Sequence, residues 1–148
     1  MEAIIGKSFA LKANELGLTV CLHRFCSIEE QVELYNSLPY KYNVFVSIGL
    51  NDWDRVKALK DAGADKWLID MANGYMHNEI TECVSKLAEQ APIYDLMLGN
   101  IHTAQGFQLL SSIKPDVKMD SIFVLELLVE VHVQQMTLLD IIVGQLLN

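Results

Sequence analysis

Apolar and polar positions alternate along this chain in two distinct patterns. Continuous apolar runs stand at residues 18–22 (LTVCL), 44–48 (VFVSI), 67–70 (WLID) and 94–98 (YDLML). Runs this short, without in-and-out alternation, predict strands covered on both faces, as in a parallel sheet. Between them, apolar residues recur at helical spacing and predict helices over 2–16, 27–38, 51–62, 76–90 and 102–113. Ser27 followed by Glu30 predicts a capping box at the second helix. The run Asn51-Asp52-Trp53-Asp54 predicts a capped start for the third, and Gly63 its left-handed end. Pro92 closes the fourth.

Strand starts recur about every 23 to 28 residues, the length of one βα unit. Two architectures fit: a doubly wound open sheet or part of a (β/α)₈ barrel. No glycine-rich G-x-G-x-x-G turn follows the first strand, which removes the signature of the dinucleotide-binding open sheet. Polar residues and glycines instead follow each strand: His23 and Arg24, then Gly49, then Asp70, Asn73 and Gly74, then Gly99 and Asn100. Carboxyl ends of parallel strands are where such folds bind ligands, so these residues predict a shared site. A complete barrel takes roughly 250 residues. The fold class predicted is therefore α/β, a partial (β/α)₈ barrel of about four units carrying an apolar tail.

Charge narrows the partners. Eleven basic against 19 acidic residues give a net charge of −8 and a pI near 4.8. No cationic surplus exists to neutralise a phosphate backbone, so neither nucleic acid nor an anionic membrane is an expected partner. The distribution is uneven, since the last 30 residues hold no Lys or Arg. From Ser121 to Asn148 only Glu126, Glu130 and Asp140 are charged, yet these acids and the Gln residues break any membrane-length span. By pattern that tail reads either as a helix over 122–147 or as a strand-rich segment over 122–133. Its many β-branched residues weaken the helix reading. Cys21, Cys26 and Cys83 form no C-x-x-C pair, and the start lacks a secretory signal, so a reduced, cytoplasmic setting is expected. Cys21, His23 and Cys26 lack a fourth ligand, and no metal site is expected; Cys83 reads as core packing.

Three segments carry a resemblance. LHRFCSIEEQ (22–31), WLIDMANGY (67–75) and LMLGNI (96–101) with Thr103 resemble, in order and spacing, motifs of the IMP dehydrogenase and GMP reductase family. The match covers about residues 10–120, and the Ala72-Asn73-Gly74-Tyr75 form is closer to GMP reductases. The resemblance implies a (β/α)₈ barrel, usually tetrameric, that acts on purine nucleotides with a nicotinamide cofactor. GMP reductases convert GMP to IMP with NADPH; the dehydrogenases oxidise IMP to XMP with NAD. It implies Asp70, Asn73 and Gly74 on the cofactor side, with His23, Gly99 and Asn100 beside the substrate. The physics agrees, because strand-end Asp and Asn bind hydroxyl and carboxamide groups, while glycine lets a flat ring approach.

The chain departs from the family pattern after about Asp120. The loop Gly-Ile-Gly-x-Gly-Ser-x-Cys-x-Thr, which carries the family's nucleophilic cysteine, is absent, and no cysteine follows Cys83. A monovalent cation, where the family uses one, belongs to that same loop. No catalytic residue is therefore assigned. The phosphate-binding turns of the last strands are also missing. Read one base out of register from Ser121, the tail's codons can encode Tyr-Ile-Arg-Ile-Gly-Ile-Ala-Gly-Gly-Ser-Ala-Cys-Thr-Thr. The cysteine falls across His132 and Val133, and the original frame resumes near Gly144. The expected organisation is thus a partial barrel over 1–120 and a frameshifted tail over 121–148. A GMP reductase-type fragment without turnover of its own is expected. IMP dehydrogenase and a non-catalytic half-barrel that pairs with another subunit are the alternatives.

Overall fold

The structure is a computed structural model that describes residues 6–71, 76–99, 108 and 121–124. Helices and strands alternate: α1 (Lys7–Glu15), β1 (Val20–Leu22), α2 (Ile28–Ser37), β2 (Val44–Ile48), α3 (Trp53–Asp61), β3 (Lys66–Ile69), α4 (His77–Gln90), β4 (Asp95–Leu98) and β5 (Ser121–Val124). A single 3₁₀ turn at Lys41–Asn43 leads into β2. The five strands form one sheet in the order β1-β2-β3-β4-β5, every pair parallel. The parallel α/β reading of the apolar runs holds.

Local chemistry sets most boundaries. At α2 the capping box is complete: Ser27 Oγ accepts from the Glu30 amide, and Glu30 returns a bond from the Ser27 amide. Those bonds pull the fully exposed Glu30 carboxyl below its ordinary pKa. Gly63 ends α3 at φ 94°, and Gly17 turns the chain after α1 at φ 75°, a region costly for any residue with a Cβ. The turn at Gly17 leaves Leu18 exposed, so β1 starts at Val20 rather than at residue 18.

Two expectations need correction. The first part of the tail is not a long helix from Ile122: Ser121–Val124 forms β5 against β4, Asp95 opposite Ser121, as the strand-rich reading of that segment had it for these residues. The sheet therefore has five strands, where four were expected. Asp52 occupies the N-cap position of α3, but its side chain makes no capping bond. The helix expected over 102–113 lies outside the described residues apart from Gln108, and residues 125–148 lie outside them altogether.

Parallel register sorts the strand residues into two faces. Val20, Leu22, Val46, Ile48, Trp67, Ile69, Leu96 and Leu98 share one face and pack with Val56, Leu59, Ile80, Val84 and Leu87 from α3 and α4. Cys21, Phe45, Ser47, Leu68 and Met97 share the other. On that second face Cys21 Sγ lies 3.9 Å from Met97 Sδ, although two strands separate β1 from β4. Side chains of non-adjacent strands meet only where a sheet curls, so this face is the inside of a barrel arc.

Candidate functional site

The inner-face alternation runs past the strand ends. Counting by twos from Cys21, Ser47, Leu68 and Met97 reaches His23, Gly49, Asp70 and Gly99. The ladder continues far enough to hold that phase: the Asp70 amide donates to Ile48 O at 2.9 Å and the Gly99 amide to Ile69 O at 3.3 Å. The sheet thus brings these four residues to the carboxyl end of its concave face. Asn73, Gly74 and Asn100, also expected there, lie outside the described residues.

A cavity of about 340 Å³ opens at this end, lined by Arg24, Gly49, Leu50, Asn51, Asp52, Asp70 and Met71. Of the expected site residues it takes in Asp70. A depression of about 400 Å³ at the opposite end, formed by Asp65 and residues 88–94, lies under the strand starts, away from the strand-end polar groups. The carboxyl-end cavity is the candidate site, because the strand-end polar residues meet there and parallel-strand folds bind ligands at that end.

Arg24 and Gly49, expected at this strand end without an assigned role, line the cavity, and so does Asp52, which the sequence presented only as part of a helix cap. Arg24 stands between two carboxylates, its Nη1 3.9 Å from Asp52 Oδ2 and its Nε 3.7 Å from Asp70 Oδ2. Both are ion pairs too long for hydrogen bonds. The guanidinium also lies over the Phe25 ring, 5.0 Å from its centroid. Asp52 turns back from the helix to accept the Gly49 amide at 2.8 Å. The available signal was positional: Arg24 follows β1 directly, and Asp52 stands three residues beyond the glycine that ends β2.

Below the cavity the wall is fixed. Gln31, buried in α2, donates to Leu22 O and Ser47 O, both at 3.1 Å, and ties β1 to β2. Its Oε1 accepts from Arg55 Nη1 at 2.6 Å, and Arg55 Nη2 donates to Cys26 O at 2.9 Å. Three buried side-chain nitrogens among the described residues lack a hydrogen-bond partner: His23 Nδ1, Arg24 Nε and Arg55 Nε. Buried donors without partners are costly, and ligands are one way to satisfy them. A methyl group on Gly49 would come within 3.1 Å of Asp52 Oδ2 and 3.3 Å of Arg24 Nη1. At Gly99 it would meet the described atoms only at 3.7 Å and beyond.

Burial disfavours the thiolate form of both Cys21 and Cys83. Burial pushes both thiols up to about 11, and at Cys83 that effect outweighs the attraction of Lys86. Cys83 is buried in the core on α4, as its spacing predicted. Among the described residues no three His, Cys, Asp or Glu side chains are grouped to hold a metal ion. Nor is any helix among them long and apolar enough to cross a membrane.

A parallel sheet with barrel curvature, helices on its convex side and polar groups at the carboxyl ends of its strands is the (β/α)-barrel class of fold. Comparison with known proteins agrees and goes further. A family model described as the IMP dehydrogenase / GMP reductase domain matches residues 1–119. The inosine-5'-monophosphate dehydrogenase of Aquifex aeolicus (strain VF5) is 33% identical over 97 residues, 62% of this chain and 20% of that protein. The crystal structure of inosine 5' monophosphate dehydrogenase from Legionella pneumophila matches with a TM-score of 0.68 and 30% identity, covering 80% of this chain and 37% of that one. The chain belongs to the IMP dehydrogenase / GMP reductase family, whose members are oxidoreductases that act on purine nucleotides with a nicotinamide cofactor. It spans between a fifth and two fifths of the length of these two relatives.

Proposed function

We propose that the chain is a GMP reductase-type segment of the family, built to hold part of a purine-nucleotide and NADPH site and without turnover of its own. The observation that carries this reading is the Ala72-Asn73-Gly74-Tyr75 form of the motif that follows β3, beginning two residues beyond Asp70. Asp70, Asn73 and Gly74 would hold the cofactor, and His23, Gly99 and Asn100 the purine nucleotide. The cavity chemistry fits such a ligand: the Arg24 guanidinium donates to acceptors, and the Asp70 carboxylate accepts from hydroxyl groups. A bound dinucleotide supplies the hydride. The residues of this chain bind and orient, with Asp70 lining the cavity 3.7 Å from Arg24 Nε.

The missing function lies in the tail. Residues 121–148 stand in sequence where the family's cysteine loop belongs, and their codons can encode that loop in another frame, so the partial barrel, whose sheet takes in Ser121–Val124, runs on into a segment with the wrong side chains. An association with another subunit, in the manner of the family's oligomers, and a cytoplasmic setting complete the reading.

Purified 148-residue protein should bind NADPH and GMP in calorimetry, and should oxidise no NADPH when GMP is added. Turnover would overturn the reading. Sequencing the gene tests the tail, since codons unable to yield the shifted glycines, serine and cysteine would sink the frameshift. A second reading, IMP dehydrogenase, is favoured by one observation: both relatives described above carry that name. A frame-restored chain separates the two, by GMP with NADPH against IMP with NAD. A stable dimer that binds neither nucleotide would instead favour the non-catalytic half-barrel.

A further inference from the structure

An Asp at an N-cap ordinarily accepts from its own helix, a bond worth about 1 kcal/mol. Asp52 occupies that position on α3 and makes no such bond. Its Oδ2 accepts from the Gly49 amide at 2.8 Å, and two guanidinium groups approach the same oxygen, Arg24 Nη1 and Arg55 Nε, each at 3.9 Å. Asp52 thus exchanges the helix-capping bond for one to the loop that ends β2, at the edge of the cavity.

The two arginines are held differently. Arg55 is anchored at both terminal nitrogens, by Gln31 and by Cys26 O. Arg24 has two ion pairs at 3.7 and 3.9 Å, and its buried Nε has no hydrogen-bond partner. The Asp52 carboxylate is fixed through the Gly49 amide, whereas Arg24 lies over the Phe25 ring and meets both carboxylates only at ion-pair distance. Arg24 is therefore the adjustable member, shared between one carboxylate that belongs to the helix start and one that lines the ligand side of the cavity.

We propose that Asp52 is a positioning residue: by drawing Arg24 away from Asp70 it prevents a closed Arg24–Asp70 pair and leaves both groups available to a nucleotide ligand. Gly49 belongs to the same device. A Cβ there would enter the space between Asp52 Oδ2 and Arg24 Nη1, at 3.1 and 3.3 Å. The inference deepens the proposed function and depends on it only for the identity of the ligand.

The test uses the whole 148-residue chain with Asp52→Asn, Asp52→Glu and Gly49→Ala, and Asp54→Asn as a control on an exposed position of the same helix turn. The ligand-independent readout is the Arg24 side-chain Nε–H NMR signal, assigned through its loss in Arg24→Lys. In Asp52→Asn and in Gly49→Ala this signal should move and exchange more slowly with solvent, as the guanidinium closes on Asp70. Asp52→Glu and Asp54→Asn should leave it near its original position. Calorimetry with NADPH should show about tenfold weaker binding for Asp52→Asn and recovery in Asp52→Glu. An Arg24 signal unchanged in both Asp52→Asn and Gly49→Ala overturns the positioning role. If the unsubstituted chain binds no NADPH, the proposed function fails, and the NMR arm still decides the role of Asp52.

Discussion

The two ends of the sheet solve the same problem in opposite ways. At the amino end, buried polar groups are paired and bonded. Lys66 and Asp95 start neighbouring strands directly opposite each other, and their side chains form a largely buried ion pair with the ammonium over the Tyr94 ring. Asn14 donates to Tyr40 O and to Asn43 Oδ1, both at 2.8 Å, and its own Oδ1 accepts from the Tyr40 amide at 2.9 Å. Asn43 in turn donates to Leu18 O, and Trp67 Nε1 donates to Pro92 O. At the carboxyl end, charges stand 3.7 to 3.9 Å apart and three buried nitrogens have no hydrogen-bond partner. One end bonds its polar groups directly; the other holds them at ion-pair distance or without a hydrogen bond. Such a division is characteristic of barrels, where the amino face serves stability and the carboxyl face chemistry.

Substitutions can break or sharpen this contrast. The largest effect should come from Lys66→Met, which leaves the Asp95 carboxylate without its buried partner and should cost about 3–5 kcal/mol in urea unfolding. The double variant Lys66→Met/Asp95→Leu should recover most of that loss. If the single change costs under about 1 kcal/mol, the amino end is not the stabilising one. Asn14→Ala removes three hydrogen bonds that join α1 to the segment before β2, and should cost about 2–3 kcal/mol by the same measurement.

Smaller effects are expected at the site end. Ser27→Ala deletes half of a satisfied capping box and should cost about 1 kcal/mol, showing that local helix chemistry there is ordinary. Asp70→Asn should change stability by under about 1 kcal/mol, because its ion pair with Arg24 is long and partly exposed. The same change should weaken NADPH binding about tenfold in calorimetry. A large stability loss with unchanged binding would make Asp70 a structural residue and erase the contrast.

Much of this was legible before any fold was known. The apolar runs gave the parallel strands because a strand covered on both faces has no polar side to alternate with. Val44–Ile48 was read with its observed bounds, all five residues being buried. The place of Asp70 and Arg24 at the strand-end cavity was legible, because each follows a buried apolar run with a charge. The pairing of Arg24 with two carboxylates was not, and Asp52 resembled any helix cap. β5 was legible only as one of two readings of the tail, because its four residues open an apolar stretch with no turn signal to end it.

The sequence alone therefore determined the repeating βα order, the capping at Ser27 and the glycine turns, all set by neighbours within a few residues. It also determined the family, through three spaced motifs. Only the tertiary structure decided the rest. The curl that brings Cys21 to Met97 depends on strands about 75 residues apart. The sharing of Arg24 between Asp52 and Asp70 depends on three strand ends meeting at one edge. Interactions of that range leave no period in a sequence, because their spacing is fixed by the sheet rather than by the chain.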